Sequence, residues 1–284
     1  MLRFMKNVIL AVHGGAGKQT PEDLRDEVRA GIEAALRAGQ AKDNCVDAVV
    51  AAVRVLEDNE LFNAGKGSVF TADEGHELDA SIMRGLDKAA GAVAAVRAVR
   101  NPIEAARLVM ESTDHVFMAG PGADEFAVRG GLVMVDGGYF STERRLSQLL
   151  ELKGTVGAVA VDRGGDLAAA TSTGGRTNKL TGRVGDSAVI GAGTYADRRV
   201  AVSGTGDGEV FLRGTAAGTI AAMIEFGGLD VVAAAHEVVM NRLTALGGTG
   251  GVIALDRDGT LAAPYSTETM VHGYLTVDGT VVVV

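Results

Sequence analysis

The chain has 284 residues, 47% hydrophobic and 22% charged, which excludes intrinsic disorder and a disulfide-stapled miniprotein. Its 27 basic and 36 acidic residues leave a formal charge of −9, which argues against nucleic acid or an anionic membrane as a partner and favours a small molecule. One cysteine, Cys45, allows no internal disulfide, and no apolar run approaches the roughly 18 residues of a membrane helix, so we expect a cytoplasmic protein.

The first half of the chain predicts both strands and helices. Residues 8–12 are typical of a buried strand, and Thr-Pro-Glu at 20–22 predicts a helix that ends at Gly39. A second helix is predicted from Asp43, with apolar residues at helical spacing as far as Leu56. Further along we expect strands near 78–84, 90–96 and 115–119, and helices after Asn101-Pro102, near 123–129 and over 142–152.

The second half is dominated by strands. They are predicted at 155–161, 167–173, 187–193 and 200–204, with helices at 212–226 and 230–246 and two hairpins at the end of the chain. Antiparallel strands grouped together, with helices around them, favour an α+β class over the regular alternation of a parallel sheet.

A glycine-rich segment at 191–196 has the form G-x-G-x-x-A of a dinucleotide-binding loop. Only three residues separate it from the next predicted strand at Val200, so the crossover helix that such a loop must open does not fit. A dehydrogenase is therefore the weakest hypothesis, and we expect no organic cofactor.

His13 follows the first predicted strand and precedes two glycines. A histidine at a strand end can act as a general base or make structural hydrogen bonds. The sequence favours the structural role and leaves the other open.

Hydroxyl groups and glycines are concentrated after residue 154. Thr155 opens a predicted strand directly after Gly154, and segments 171–175, 182–187 and 203–208 each lie at a strand end. Taken alone, threonine in a strand reflects ordinary β-propensity more often than nucleophilic chemistry. Glycine-rich strand ends, however, let backbone N–H groups point at a ligand anion.

The ordered motifs of the chain resemble those of the plant-type asparaginases, also called isoaspartyl peptidases, within the N-terminal nucleophile hydrolases. These motifs are HGGAG at 13–17, LFNAGKGSVF at 61–70, HELDASIM at 76–83, GTVGAVA at 154–160, TSTGG at 171–175, GRVGDS at 182–187 and GTGDGE at 204–209. The resemblance implies a four-layer α/β/β/α sandwich in one domain over 1–284. It also implies self-cleavage between Gly154 and Thr155 into chains 1–154 and 155–284, and a dimer of such αβ units.

The activity that this resemblance implies is hydrolysis of L-asparagine and of β-aspartyl dipeptides through an acyl ester on Thr155. The free α-amino group of an N-terminal threonine, with a pKa of about 7.7–8.0, can serve as the base for the hydroxyl of the same residue. Thr173 would be the second hydroxyl, Thr205 Oγ and the Gly206 N–H would form the oxyanion hole, and Asn63 would face the nucleophile.

Two charged residues would select the substrate. The Arg183 guanidinium can hold an α-carboxylate in a bidentate manner, while the Asp186 carboxylate takes the α-ammonium group. Without the resemblance, a surface ion pair would be the simpler interpretation.

A loop from Leu56 to Phe70 resembles the sodium-binding loop of the same family, in which backbone carbonyls hold the ion. The matching positions are Leu56, Glu57, Asn59, Phe62, Ala64 and Lys66. Carbonyl ligation leaves almost no side-chain pattern, so this expectation comes from the resemblance.

The chain departs from the family pattern in three places. The linker before Thr155, at 151–154, is short, which is expected to slow self-cleavage; Ser266 stands where Asn is common, and 271–273 lacks the usual Arg. Two alternatives remain. One is a glycosylasparaginase-like hydrolase, although that relative has Asp where Gly154 stands, and the other is an unprocessed homologue that only binds a small molecule.

Overall fold

The computed structural model describes residues 4–142 and 154–284. The helix predicted over 142–152 lies outside these residues, apart from Thr142, which belongs to no helix or strand. The short linker at 151–154 also lies outside them, apart from Gly154. Within the part of the chain that is described, no helix is long and apolar enough to cross a membrane.

The described strands form two sheets. They are β1 Phe4–Met5, β2 Val8–Gly17, β3 Leu78–Arg84, β4 Ala90–Val96, β5 Phe117–Ala119, β6 Val156–Val161, β7 Leu167–Thr173, β8 Thr194–Ala196, β9 Val200–Gly206, β10 Gly250–Asp256, β11 Leu261–Ala262, β12 Thr269–Thr276 and β13 Val281–Val283. The order is β13-β12-β2-β6-β7-β3-β4-β5 in the eight-stranded sheet and β1-β11-β10-β9-β8 in the five-stranded sheet. Of these neighbours, only β4 and β5 are parallel.

Helices cover the outer faces of both sheets. They are α1 Arg25–Gln40, α2 Cys45–Glu57, α3 Pro102–Ser112, α4 Gly120–Arg129, α5 Gly208–Gly214, α6 Ala216–Glu225 and α7 Val231–His236, which continues as a π-helix over Glu237–Leu243. The first four share a core with the eight-stranded sheet, and the last three share one with the five-stranded sheet. A third core, with Val159 and Ile253 among its members, lies between the sheets. The predicted α/β/β/α sandwich is therefore confirmed.

The hairpin of β6 and β7 lies in the middle of the eight-stranded sheet. Both strands are buried along their whole length, and they are apolar except for the three hydroxyl residues that end β7. Val156 pairs with Ser172, so the start of β6 and the end of β7 lie at the same end of the hairpin. This register brings Thr155 and Thr173 side by side.

The end of β2 reaches the same place. The strand runs five residues further than predicted, and its register against β12 skips Gly14. Gly15 has a φ of +124°, and a Cβ built on it would lie 3.0 Å from the Cα of Gly154. Glycine thus allows β2 to approach the peptide between Gly154 and Thr155.

The prediction of a strand over 187–193 is wrong. Asp186–Ala188 form a 3-10 helix instead, and β8 begins only at Thr194. The Gly193 N–H donates to the Asp186 carbonyl at 3.0 Å, so the segment turns back on itself and cannot extend.

Several helix boundaries also differ from the predictions. The first α-helix begins at Arg25, after a 3-10 turn at Glu22–Leu24, because Pro21 has an extended ψ of 143°. The helix predicted over 212–226 is two helices, separated at Thr215, whose φ of +42° is left-handed. The predicted strands at 78–84, 90–96 and 167–173 and the two closing hairpins are confirmed.

Candidate active site

Thr155 lies immediately before β6 and is 8% exposed. Its Oγ1 donates to Thr173 Oγ1 at 3.1 Å. The Thr173 hydroxyl also accepts from the Gly175 N–H at 2.9 Å. The hairpin thus fixes the Thr155 hydroxyl proton toward Thr173, which leaves its oxygen lone pairs available for attack on a carbonyl.

The carbonyl oxygen of Gly154 receives two hydrogen bonds. Asn63 Nδ2 donates at 2.7 Å and Thr173 Oγ1 donates at 3.2 Å. Asn63 Oδ1 accepts from the Val69 N–H at 3.0 Å, which fixes the orientation of the amide. Two donors on one carbonyl polarise it and are suited to hold a developing negative charge.

Thr205 and Gly206 end β9, opposite Gly250 and Gly251 of β10. The Thr205 side chain is fully buried, and its Oγ1 accepts from the Ala16 N–H at 3.2 Å. As an acceptor in that bond, the hydroxyl keeps its own proton for donation. Gly206 has a φ of +146°, and a Cβ there would lie 2.4 Å from the Gly250 Cα, so only glycine fits.

Arg183 and Asp186 lie beside each other at Gly208. A Cβ built on Gly208 would lie 2.7 Å from Asp186 Oδ1 and 3.0 Å from Arg183 Nη2. Arg183 Nε and Nη2 both donate to Glu209 Oε1, at 3.0 Å and 2.8 Å. The sequence motif contained Glu209, but nothing in it indicated this ion pair.

Burial dominates the electrostatics of Asp186. It raises the pKa of this carboxyl to about 7, although Arg183 opposes the shift. Asp186 Oδ2 is buried and has no hydrogen-bond partner among the described residues. A buried acceptor without a partner is costly. Oδ2 lies against Gly193, where a Cβ would be 2.8 Å away, so Oδ1 is the oxygen that faces Gly208 and Arg183.

A buried charged network supports the segment that leads to Arg183. Lys179 Nζ donates to the Glu77 carbonyl at 2.9 Å, and Glu77 Oε2 accepts from the Gly182 N–H at 2.8 Å. Burial raises the pKa of Asp79 and lowers that of Lys179, and the attraction between the two opposes both shifts. The motif HELDASIM contains Glu77 and Asp79, but nothing in its pattern indicates this network.

His13 is completely buried and does not contact the Thr155 hydroxyl. Its Nδ1 lies 2.9 Å from the carbonyl oxygen of Thr155, and its Nε2 lies 2.9 Å from Ser203 Oγ. Burial lowers the pKa of His13 to about 3. Of the two roles that the sequence left open, the geometry favours hydrogen bonding over a general base.

The loop proposed for sodium folds back on its own carbonyl groups. A Cβ on Gly65 would lie 2.3 Å from the Glu57 carbonyl oxygen, and one on Gly67 would lie 2.1 Å from that of Phe62. A side chain at either position would clash with these oxygens. The described residues contain no cluster of three or more His, Cys, Asp or Glu that could hold a metal. The groups that this loop offers a cation are backbone carbonyl oxygens, the type of ligand that hard cations take.

A cavity of about 640 Å³ opens beside Gly154. Asn63, Gly206, Ser266 and the glycine-rich end of β2 line it, whereas Arg183 and Asp186 do not. It therefore extends away from the two charged residues. Ser266, one of the departures from the family pattern, accepts from the Gly250 N–H at 3.2 Å at the wall of this cavity.

Comparisons with known proteins identify a family and several relatives. The model of a family described as Asparaginase matches residues 6–153 and 151–284. The chain is 48% identical to "Isoaspartyl peptidase" of Escherichia coli (strain K12), over 95% of this chain and 93% of the relative. It is 43% identical to "Plant-type L-asparaginase" of Pyrobaculum calidifontis (93% and 96%) and 41% identical to "Isoaspartyl peptidase/L-asparaginase" of Bos taurus (93% and 92%).

Proposed function

The chain belongs to the asparaginase family, and from this premise we propose that it hydrolyses L-asparagine and β-aspartyl dipeptides with Thr155 as nucleophile. The observation that carries the assignment is the contact of 3.1 Å between the hydroxyls of Thr155 and Thr173, beside a Gly154 carbonyl bonded by Asn63. The enzyme is a hydrolase, and its substrates are small molecules.

The first step of this proposal is self-cleavage. Thr155 Oγ attacks the Gly154 carbonyl carbon, and the hydroxyl proton passes to the nitrogen that leaves. The oxyanion is stabilised by Asn63 Nδ2 and the Thr173 hydroxyl, which already donate to that oxygen. Water then hydrolyses the ester, which gives chains 1–154 and 155–284 from the expected single domain.

The second step uses the new N-terminus. The free α-amino group of Thr155, with a pKa near about 7.7–8.0, accepts the hydroxyl proton as the oxygen attacks the substrate's side-chain carbonyl. Thr205 Oγ and the Gly206 N–H stabilise that oxyanion. Ammonia or an amino acid leaves, and water hydrolyses the acyl ester to release L-aspartate.

Substrate selection is assigned to the pair at Gly208. Arg183 binds the α-carboxylate, and the Asp186 carboxylate accepts from the α-ammonium group. The position of Asp186 Oδ1 beside Arg183 at Gly208 supports the second assignment. The site therefore requires an aspartyl group whose α-carboxylate and α-ammonium groups are both free. L-asparagine and isoaspartyl dipeptides both have such a group, so both are accepted.

We assign a structural sodium ion to the carbonyl oxygens of Leu56, Glu57, Asn59, Phe62, Ala64 and Lys66. The ion would supply positive charge to these oxygens and so hold the loop on which Asn63 lies.

We also assign a dimer of cleaved αβ units, which size-exclusion chromatography with light scattering would test.

The test of the function is an intact-mass spectrum together with an assay. Purified chain is incubated at neutral pH, its mass is recorded under denaturing conditions, and ammonia release from L-asparagine is measured in the same samples. Two species that break between Gly154 and Thr155, with activity that grows as they appear, support the proposal. A chain that stays uncut and inactive contradicts it and favours a non-catalytic binding protein.

A further inference from the structure

His13 lies where the backbone of the nucleophile leaves the β-ladder. The pairing of β2 with β6 ends at His13 and Gly157, two residues after Thr155. The imidazole continues the contact, because its Nδ1 lies 2.9 Å from the Thr155 carbonyl oxygen. We propose that His13 is the positioning residue of Thr155, held by a directed chain of hydroxyl groups that joins the two sheets. This inference rests on the proposed role of Thr155 as nucleophile.

The chain of hydroxyl groups is continuous. His13 Nε2 lies 2.9 Å from Ser203 Oγ, which lies 2.7 Å from Thr171 Oγ1. Thr194 Oγ1 follows at 2.6 Å from Thr171, and Ser81 Oγ follows at 2.8 Å from Thr194. All five side chains are fully buried. Ser203 and Thr194 come from the five-stranded sheet and the others from the eight-stranded sheet, so the chain crosses between the layers.

Burial fixes the direction of these bonds. The lowered pKa of His13 keeps the ring neutral, with a single N–H. A carbonyl oxygen can only accept, so Nδ1 carries the proton toward Thr155 and Nε2 accepts from the Ser203 hydroxyl. Ser203 has then used its proton, so Thr171 donates to it, and Thr194 donates to Thr171 in turn. From Thr194 to His13, each donor therefore points toward the Thr155 carbonyl, whereas the Ser81 hydroxyl donates to the carbonyl oxygen of Ser187 at 2.6 Å.

Gly157 provides the space for the central bond. A Cβ there would lie 2.0 Å from Ser203 Oγ and 2.5 Å from His13 Nε2, both far below any real contact. Any larger residue at this position would displace the pair of side chains. The glycine two residues after Thr155 is therefore required by the histidine and serine that meet across it.

The bond from His13 has a particular value after self-cleavage. Asn63 and Thr173 bond to the carbonyl of Gly154, and these contacts no longer restrain Thr155 once the peptide is cut. The bond from His13 is made to Thr155 itself and persists. It limits rotation of the new N-terminal residue, whose oxygen must stay in place, since a misplacement of about 1 Å can cost about 100-fold in rate.

The test compares two substitutions of similar size, of which only one keeps a hydrogen-bond donor near Nδ1. His13→Asn keeps an N–H near that position, whereas His13→Leu removes it. For the cleaved enzyme, we expect His13→Leu to lower kcat for L-asparagine about 10- to 100-fold with KM changed less than about threefold, because Arg183 and Asp186 are untouched. His13→Asn should recover most of kcat. His115→Ala, at an exposed histidine, is the control and should match the parent enzyme.

The activities of the two His13 variants test the positioning role. Equal losses in His13→Leu and His13→Asn, or unchanged kcat in His13→Leu, would overturn the positioning role. If the His13→Leu variant does not cleave itself, the fraction of cleaved chain is compared instead of kcat. Cleavage of the His13→Asn variant then supports the positioning role, and failure of both variants to cleave contradicts it. An uncut, inactive parent chain would instead contradict the function proposed above, so the two failures are distinguishable.

A second measurement needs no variant with lowered activity. In ¹⁵N-histidine NMR spectra of the cleaved parent enzyme at pH 6, one ring that is absent from the His13→Asn spectrum should be neutral and protonated at Nδ1. An imidazolium ring, or a neutral ring protonated at Nε2, would contradict the directed chain.

Discussion

Asn63 Nδ2 lies 2.7 Å from the carbonyl oxygen of Gly154 and 2.7 Å from that of Gly175. A primary amide has two N–H groups, so each carbonyl takes one. A single side chain therefore ties the peptide before Thr155 to the segment that leads to Arg183.

Replacement of Asn63 by Ala is expected to slow self-cleavage about 10²- to 10³-fold, the usual cost of one lost oxyanion donor. The measurement is the fraction of chain 1–154 released over time, followed by mass spectrometry. Asn241→Ala, at an exposed asparagine on the π-helix, is the matched control and should cleave like the parent. Cleavage of Asn63→Ala at the parent rate would show that the Thr173 hydroxyl alone is sufficient.

Replacement of Arg183 by Ala is expected to raise KM for L-asparagine tenfold or more, while self-cleavage remains mostly intact. A hydrogen bond to a charged group contributes about 1.5–3 kcal/mol, which corresponds to this range. Steady-state kinetics of the cleaved variant give KM directly. Arg199→Ala, which removes an ion pair with Glu225, is the control. An unchanged KM would exclude Arg183 from substrate binding.

The pH dependence of KM should report Asp186. Since burial raises its pKa to about 7, most of this carboxyl is protonated at pH 6 and most is ionised at pH 8. Only the carboxylate accepts from the ammonium group, so KM for L-asparagine should rise up to about tenfold from pH 8 to pH 6. Initial-rate curves at each pH separate this effect from kcat, which follows the α-amino group of Thr155. Equal KM values at pH 6 and 8 would contradict the assignment.

The same burial predicts a conflict between stability and function. The pKa of Asp186 is higher in the folded state than in the unfolded chain. At pH 8 the folded state must hold the buried carboxyl in its ionised form, which lowers the free energy of unfolding. At pH 5 the folded state is protonated, so the free energy of unfolding is lowered less. Asp186→Asn should therefore raise Tm at pH 8 more than at pH 5, and raise KM. Differential scanning calorimetry at both pH values measures this. A lower Tm at pH 8 would mean that attraction to Arg183 outweighs burial.

Sequence motifs were sufficient for the hairpin that carries Thr155 and Thr173, because both residues lie at the ends of two adjacent strands with strong local patterns. They were insufficient for His13, because its role depends on Ser203, which lies 190 residues away on the other sheet. The strand predicted over 187–193 failed for a related reason: a backbone contact to Asp186 turns the segment back, and apolar periodicity does not contain that information.

Removal of sodium should weaken the loop that carries Asn63. In buffers of equal ionic strength, choline chloride in place of sodium chloride is expected to lower Tm and slow self-cleavage, because an ion that binds only the folded state stabilises it by mass action. Gly67→Ala, whose Cβ would lie 2.1 Å from the Phe62 carbonyl oxygen, should mimic this loss in sodium chloride. Gly122→Ala, where nothing lies within 4 Å of the added carbon, is the control. Equal Tm values in the two salts, together with a destabilised Gly67→Ala variant, would mean that the tight packing of the loop holds Asn63 without a cation.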